Sequence, residues 1–364
     1  MAFAGLFGLF READDAGYVK LTDLPTRWVP STAPATKVLW LNATDLRLEL
    51  DNIPASLAPG IDVGAATALP ANQRPKRCFQ GQTPGVTKTP DGAHGFVLDA
   101  DMRATLIARD ASSATYIHPF LGGQELLHDL SIDRWVIDLP HRDALDAQHD
   151  APALVEHLKK TVLPVRQAAA KREAAENADR RAASSTARQD HARTKFLETW
   201  WMHWRRRADM ITAVEALPRY IATSRVASEE RFTIFTFVDA AVRAGDSLVA
   251  LALDDTYSLG VLHSYLHRTW FEHRSSSLES RLRYTSSTVW DSFPWPQAPS
   301  SQQVIAIEQV MEAILEVRSA NLERGMSLAA QYDTLRTPGK SRLRDRPARR
   351  PRRWCTHRLR LRSL

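Results

Sequence analysis

Cysteine is scarce in this chain, and the features of exported and membrane proteins are missing. The only two cysteines among 364 residues, Cys78 and Cys355, form no disulfide or metal-binding pattern, which fits a reducing cytoplasm. No apolar run approaches the roughly 20 residues that a membrane helix needs, so we predict no membrane association. Residues 1–10 are apolar but lack a basic stretch and a clear cleavage site, so we expect a trimmed core strand or helix there and not a signal peptide.

Patterns of nucleophilic or metal-binding residues are missing as well. No Ser/His/Asp or Cys/His triad is suggested. His263 and His267 have a helical spacing that can hold zinc, but a general-base glutamate and a third ligand are absent, so we predict no metal site. Cys78 follows Lys76 and Arg77, a context that can lower the pKa of a thiol, yet no partner base is evident and an ordinary cysteine is favoured.

A global basic charge is also lacking, although the formal net charge is +6. Residues 341–364 contain ten arginines and one aspartate, a net charge of +9. Subtracting this from the +6 of the whole chain leaves −3 for residues 1–340. Nucleic-acid binding by residues 1–340 would therefore need a local basic patch and not a general positive field.

What is present is typical of a soluble globular protein, with 44% hydrophobic and 25% charged residues. Alternating strand and helix patterns predict an α+β fold, in which mixed β-sheet lobes flank a long helical spacer and a C-terminal helix follows. The predicted segments are a connector at 1–70, a first lobe at 71–149, the spacer at 150–217, a second lobe at 218–299, the C-terminal helix at 300–340 and an unstructured arginine-rich tail at 341–364.

Individual elements can be predicted from apolar runs and helix caps. Asp150 is expected to cap the spacer helix, Pro164 to kink or end it, and residues 184–186 to separate it from a second helix. Asp255 is expected to cap a helix near 256–271, and Ser300 to open a capping box. The stripe of that last helix is Ile307, Val310, Met311, Ile314 and Val317. Strands are predicted at 38–41, 95–98, 135–139, 220–226, 233–238 and 248–253, the last one buried and central, with a helix at 99–110.

Three aromatic residues in the spacer have a helical spacing. Phe196, Trp200 and Trp204 are four residues apart, so a continuous helix would place them on one face. Aromatic stripes of this kind are more often core than ligand-binding surface. We therefore favour core packing over base stacking for all three.

Residues 281–296 are the most informative stretch, because arginines, hydroxyl groups, aromatic rings and prolines are concentrated there. The prolines beside Trp295 rule out a helix, and the rings of Trp290, Phe293 and Trp295 are expected to pack inside. The arginines and hydroxyls suit phosphate oxygens and base edges. The residues that we expect to contact DNA are Arg281, Arg283, Tyr284, Ser286 and Ser287; for Tyr284 a place in the core is an equal alternative.

The same stretch resembles the end of the target-recognition domain of MmeI-like DNA methyltransferases. In that family an Arg-Tyr-(Ser/Thr)-rich turn runs into an aspartate and then Phe-Pro-aromatic-Pro. Other pieces match the family in the same order, from about residue 60 to 340. They are Phe79-Gln-Gly81 before Gly95-Phe96, residues 118–126 with 134–138, Trp200-Trp201 with Arg207, residues 219–226, and residues 257–270.

The resemblance implies DNA target recognition for an S-adenosylmethionine-dependent adenine-N6 methyltransferase of a restriction-modification system, with double-stranded DNA as the partner. The two lobes would then belong to the target-recognition domain. Residues 1–70 would connect it to a methyltransferase domain and expose apolar surface that meets that domain.

The sequence departs from the family in its catalytic motifs. The glycine-rich cofactor loop and the Asn-Pro-Pro-(Tyr/Phe) loop are absent, and the nearest match, residues 138–141, has one proline and no aromatic ring. An acidic-acidic-lysine nuclease cluster is not evident either. We therefore expect no catalytic and no cofactor-binding residues here, no methylation by this chain alone, and a separately encoded methyltransferase domain as a partner.

Two further alternatives concern the tail and the spacer. The abrupt change to an arginine-rich composition after Lys340 favours translation out of the normal frame over a genuine nucleic-acid-binding arm. A different class of function is a helical assembly protein that docks a partner on residues 150–215. An inactive, degenerate gene product is a third possibility.

Overall fold

The computed structural model describes residues 10–12, 37–41, 46–50, 66–228, 233–278 and 281–333. Side chains are described for residues 66–226, 233–275 and 282–333. The arginine-rich tail and most of the predicted connector lie outside the described residues.

Fourteen strands occur in the described residues, most of them short. In chain order they are β1 (Phe10–Glu12), β2 (Lys37–Leu41), β3 (Leu46–Leu50), β4 (Cys78–Gln80), β5 (Val97–Leu98), β6 (Ile117–Leu121), β7 (Trp135–Ile137), β8 (Arg219–Ser224), β9 (Val226–Ser228), β10 (Phe235–Asp239), β11 (Arg243–Ala244), β12 (Leu248–Leu251), β13 (Ser276–Leu278) and β14 (Arg281–Arg283).

The helices range from one turn to 32 residues. In chain order they are α1 (Pro70–Gln73), α2 (Ala100–Arg109), α3 (Gly123–His128), α4 (Ala144–Asp150), α5 (Pro152–Ala183), α6 (Ala192–Glu198), α7 (Ala208–Glu215), α8 (Thr256–His263), α9 (Tyr265–Arg274), α10 (Ser301–Glu323) and α11 (Leu328–Asp333), with a 3₁₀ helix at Ala111–Tyr116 and a π-helical turn at Ser286–Trp290.

The largest core lies on both faces of an antiparallel sheet with the strand order β10-β8-β12-β4. Successive side chains of a strand point to opposite faces. In β8, Ile221 accordingly packs with α8, α9 and α10, whereas Tyr220 and Ala222 pack with α3 and α7. Strand β12 is interior and buried along its whole length, which confirms the central strand predicted at 248–253.

A second sheet has the order β11-β6-β7-β5 and packs against α2 and the first half of α5. Strand β11 runs parallel to β6, whereas the other pairs are antiparallel. Both sheets therefore combine strands from before and after the long helix α5, which interleaves the two predicted lobes. Two three-stranded sheets, β1-β2-β3 and β13-β14-β9, complete the described strands.

Gly81 marks a close contact between the two main sheets. A Cβ atom on Gly81 would lie 2.0 Å from the carbonyl oxygen of Gly245, so only glycine permits this close approach of the two backbones. The backbone N–H of the next residue, Gln82, donates to the carbonyl of Ala244 at 2.7 Å. The segment after β4 therefore packs directly against β11 of the second sheet.

The predicted cap of the spacer helix is wrong, and the helix does not end at Pro164. Asp150 is the last residue of α4 and pairs with His141 at 2.9 Å, because α4 and α5 follow one another directly and Ala151 is the N-terminal cap of α5. Helix α5 also continues through Pro164 without ending. Burial of Val162 before the proline and of Ala170 after it holds both halves in one helix, and this packing offsets the lost backbone hydrogen bond.

The predicted helical face of Phe196, Trp200 and Trp204 is also wrong, because the helix ends before Trp200. Helix α6 ends at Glu198, so Trp200 and Trp204 lie beyond it in turns and loops. Trp200 packs against the core, but Trp204 is 45% exposed and contacts Phe196 across a ring-centroid distance of 5.2 Å. The expected break after Ala183 and the second helix that follows it are confirmed.

Helix caps are where local prediction succeeds best. Asp255 caps α8 by accepting a hydrogen bond from the backbone of Ser258 at 2.6 Å, and Ser300 forms the expected capping box with Gln303. Ser264 divides the single helix predicted near 256–271 into α8 and α9. On α10, Met311 is buried whereas Val310, Ile314 and Val317 remain exposed, so the predicted stripe does not form one buried face.

Candidate nucleic-acid interface

A polar cleft of about 220 Å³ opens where β4, the end of β8, β12 and β14 meet. Arg225, Arg283, Ser286 and Ser287 line it together with Gln80. Its remaining lining residues are Cys78, Phe79, Val249, Tyr284 and Thr285, so no carboxylate is among them. We call this the basic cleft. Two cations and several hydroxyls with no lining acid make it suited to an anionic ligand.

The local backbone explains why Arg283 and the serines come together. Strand β14 pairs with β9, and immediately afterwards the Tyr284 backbone N–H donates to the carbonyl of Arg225 at 2.9 Å. Ser286 then begins the π-helical turn, in which the Asp291 N–H donates to the Ser286 carbonyl at 2.8 Å. Within the described residues, the side chains of Arg283, Ser286 and Ser287 have no protein hydrogen-bond partner. Their hydrogen-bonding capacity is therefore available to a ligand.

Tyr284 lies in the core, which is the alternative that the sequence left open for it. Its side chain is 1% exposed, and its hydroxyl lies 3.1 Å from Nε2 of His267. Burial raises the pKa of Tyr284 well above its ordinary value. Tyr284 thus belongs to the core behind the cleft, where it packs against Phe235 and Phe271.

Arg225 is a cleft residue that the sequence did not single out as a contact. It lies between β8 and β9, and its guanidinium donates to the carbonyl of Asp246 at 3.0 Å. Partial burial, followed by the neighbouring positive charge of Arg283, lowers the pKa of Arg225. Arg205 and Arg207 act in the same direction. The carboxylate of Asp246 opposes these effects and raises the pKa of Arg225. Four arginines and one aspartate therefore share one neighbourhood, and the excess of positive charge favours an anionic ligand.

Gln80 was also missed as a contact residue, although it is part of the Phe79-Gln-Gly81 motif. Its Oε1 accepts from the Arg207 guanidinium at 3.2 Å. Arg207 itself adopts a left-handed backbone conformation with φ of 60°, which is uncommon for a residue with a side chain. The contact fixes Arg207 beside the cleft, at the point where the loop 205–207 meets β4.

A buried carboxylate anchors this arginine-containing loop. Asp138 is 1% exposed, and it accepts from Arg206 Nε at 2.6 Å and from Gln82 Nε2 at 3.0 Å. Burial opposes ionisation, but the charges of His203 and Arg206 and these hydrogen bonds hold the pKa of Asp138 below its usual value. Because burial lowers the pKa of His203, Arg206 is the charge that acts near pH 7. Asp138 therefore has a structural role: by fixing Arg206, it holds the neighbouring Arg205 and Arg207 in place.

The remaining sequence-predicted positions are partly described. Arg281 is the first residue of β14 and pairs with Ser228 and Leu278, but its side chain lies outside the described residues. Trp290 and Phe293 are buried and Trp295 is partly buried, so their predicted packing role is confirmed.

Cys78 and the two histidines have structural environments. Burial raises the pKa of the Cys78 thiol, so the possible activation by Lys76 does not occur. His263 lies between the Phe235 carbonyl and the Arg318 guanidinium, and burial lowers its pKa to about 3. In the described ranges, no group of three or more His, Cys, Asp or Glu side chains could hold a metal ion. Among those residues, no helix has the length and apolar character needed to cross a membrane.

Known proteins match this arrangement. Residues 202–297 match the family described as MmeI, target recognition domain. MmeI itself, solved as a Type IIL restriction-modification enzyme in complex with DNA, is similar over 80% of this chain and 34% of its own, with 25% identity and a TM-score of 0.56. DNA methyltransferase A of Bacillus subtilis (strain 168) is 29% identical over 119 residues, or 32% of this chain and 13% of that protein. The chain thus spans only a minor part of each relative.

The basic cleft lies within the matched region for most of its residues. This family match and the similarity to MmeI confirm the resemblance and the α+β fold expected from the sequence.

Proposed function

We propose that this chain recognises a target site on double-stranded DNA for an adenine methyltransferase of a restriction-modification system. The observation that carries the proposal is the basic cleft, in which Arg225 and Arg283 lie side by side with hydroxyl groups that have no protein partner. The cleft falls in the domain that matches the MmeI target recognition domain. A cluster of arginines that outnumbers the acids beside it, on a chain with −3 charge outside its tail, is the local patch that DNA binding requires.

The chemistry of each cleft residue supports a different proposed role. A guanidinium can donate two parallel hydrogen bonds to O6 and N7 of guanine, so Arg283 and the strand neighbour Arg281 are proposed to read base edges. Ser286 and Ser287 can bind phosphate oxygens or adapt to several bases. Arg225, which already donates to a backbone carbonyl, is proposed to grip a phosphate. Tyr284 supports the cleft from the core and makes no proposed contact.

The methyl-transfer chemistry is assigned to a domain outside these residues. S-adenosylmethionine would supply the methyl group, but the sequence lacks the glycine-rich and Asn-Pro-Pro loops that hold it and the target adenine. The residues present therefore do not fit this cofactor. We propose that a methyltransferase domain, joined to this region or encoded separately, binds it and acts on the DNA that the cleft selects.

The salt dependence of DNA binding tests the role of the cleft. If Arg205, Arg207 and Arg225 each neutralise one phosphate, log affinity should fall by about 2.7 per log unit of salt. The double substitution Arg225→Ala with Arg283→Ala should weaken binding and reduce that slope by about 0.9, the share of Arg225. Fluorescence anisotropy with a labelled duplex measures both, using a chain that ends at Lys340 so that the tail does not bind the DNA.

Lys160→Ala is the matched control, because Lys160 is exposed, pairs with Glu156 on its own helix and does not line the cleft. Its slope should equal that of the parent. An unchanged affinity and slope in the double variant would refute the assignment of the cleft.

A further inference from the structure

A second cleft, of about 160 Å³, lies between α5, α6 and the loop that follows β4. The rings of Phe196 and Trp204 form one wall, Gly85 and Val86 form another, and the Arg193 side chain lies at its edge. We call it the aromatic cleft. Trp204 is 45% exposed there, so part of its ring is accessible to a ligand.

The backbone holds Trp204 in this position. The next residue, Arg205, exchanges two hydrogen bonds of 3.0 Å with Thr83, and the buried Arg166 guanidinium donates to the carbonyl of Met202 at 2.7 Å. Gly85, with φ of +92°, lies close to the indole, since a Cβ atom built on it would be 3.4 Å from Trp204. Trp204 is thus displayed on a supported backbone and not at the end of a loose loop.

The aromatic cleft is a short distance from the basic cleft. Gln80 lines the basic cleft and Gly85 lines the aromatic cleft, and five residues of extended chain span at most about 18 Å. That distance corresponds to about five base pairs of duplex DNA. One duplex can therefore cover both clefts.

The charged residues near the aromatic cleft indicate which class of molecule binds across the two clefts. Arg205 is exposed and follows Trp204 directly, and its positive charge is felt by Arg225 of the basic cleft. Within the described residues, the Arg205 guanidinium has no hydrogen-bond or ion-pair partner. Arg193 pairs with the exposed Glu176 at 3.7 Å, a weak contact that an anion can replace, and its charge also interacts with Glu173. The occupant should therefore be a polyanion that continues from the basic cleft.

We propose that the aromatic cleft grips the DNA that flanks the target site, with the Trp204 ring against backbone sugars and Arg205 on a phosphate. This inference rests on the proposed function but adds a contact of a different kind. Contacts to sugar and phosphate carry no base information. The aromatic cleft therefore strengthens binding to every sequence equally, whereas the basic cleft discriminates between sequences.

The test uses the chain that ends at Lys340, as in the salt experiment, and a panel of duplexes of different sequence. Trp204→Ala should weaken binding to all of them by roughly fivefold, the effect of losing a modest apolar contact, and Arg205→Ala should reduce the salt slope by about 0.9. Trp204→Phe keeps a ring against Phe196 and should retain most of the affinity. Hydroxyl-radical oxidation read by mass spectrometry should show Trp204 protected by duplex DNA, while the exposed Tyr265, which lines neither cleft, stays equally reactive.

The outcomes separate this inference from the proposed function. Unchanged oxidation of Trp204 with unchanged affinity of Trp204→Ala overturns the inference alone, provided that Arg225→Ala with Arg283→Ala still weakens binding. A change in sequence preference caused by Trp204→Ala also overturns it, because that result requires a base contact. A chain that binds no duplex at all overturns both proposals.

Discussion

Replacement of the buried carboxylate of Asp138 is the sharpest test of how this fold positions its arginines. Replacing it with alanine removes the carboxylate partner of Arg206 and one of the two acceptors of the Gln82 amide, which keeps the Arg206 carbonyl at 2.8 Å. Breaking a buried ion pair from one side costs about 3 to 5 kcal/mol of unfolding free energy. Arg243, which is 4% exposed, loses its 3.8 Å contact with Asp138 but keeps its 2.6 Å pair with Glu215, so the loss should not exceed this range.

Asp138→Asn should be nearly as harmful as the alanine variant. The asparagine amide can accept one hydrogen bond but must point its NH₂ group at a second donor, either Arg206 or Gln82. It also leaves the Arg206 charge without its carboxylate. We expect a loss of about 2 to 4 kcal/mol, since the residual acceptor offsets part of the cost.

The effect should depend on pH with a defined sign. The pKa of Asp138 is lower in the folded state than in the unfolded chain, so its stabilisation is complete above about pH 4 and is lost as the pH falls through the folded pKa. The difference between the parent and Asp138→Asn should therefore be largest near neutral pH and shrink in acid.

Urea unfolding followed by tryptophan fluorescence measures these free energies. The matched control is Asp179→Asn, because Asp179 is exposed on α5 and its loss should cost less than about 0.5 kcal/mol. A loss below 1 kcal/mol for Asp138→Ala at pH 7 would refute the structural role given to this carboxylate.

Three other outcomes are expected. The carboxylate of Glu173 accepts the backbone N–H groups of Arg193 and Thr194 at 2.8 Å, so Glu173→Gln should loosen the start of α6 and speed amide exchange there; unchanged exchange would contradict this. Gly81→Ala should destabilise the chain by about 3 kcal/mol, because its Cβ would meet a backbone carbonyl oxygen at 2.0 Å, whereas Gly123→Ala, with its nearest contact at 3.4 Å, should lower the melting temperature far less. The purified chain should transfer no labelled methyl group from S-adenosylmethionine to DNA, and label above a no-protein blank would contradict that expectation.

Features governed by neighbouring residues could be predicted from the sequence. The caps at Asp255 and Ser300 depend on hydrogen bonds within one helical turn, and the buried run at β12 reflects a strand covered on both faces. Pro164 shows the limit of such rules, because packing on both sides of the proline keeps helix α5 intact. Trp204 shows it again: a helical spacing continues in the sequence after the helix itself has ended.

The candidate site could be predicted only in part for the same reason. Arg283, Ser286 and Ser287 are close in sequence, and their composition alone marked them as a possible contact surface. Arg225 joins them only because β14 pairs with β9, and Gln80 joins them only because β8, β12 and β4 are neighbours in one sheet. No local pattern records that pairing. The family motif around Gln80 was the one sequence feature that could have indicated its place beside the cleft.

Selection of bound sequences from a random pool of DNA duplexes tests target recognition most directly. A chain ending at Lys340 should enrich one short motif, and Arg283→Ala should relax that motif at one or more positions while Lys160→Ala leaves it unchanged. Enrichment of no motif by a folded chain, or the same motif with and without Arg283 and Arg225, would contradict recognition through the basic cleft.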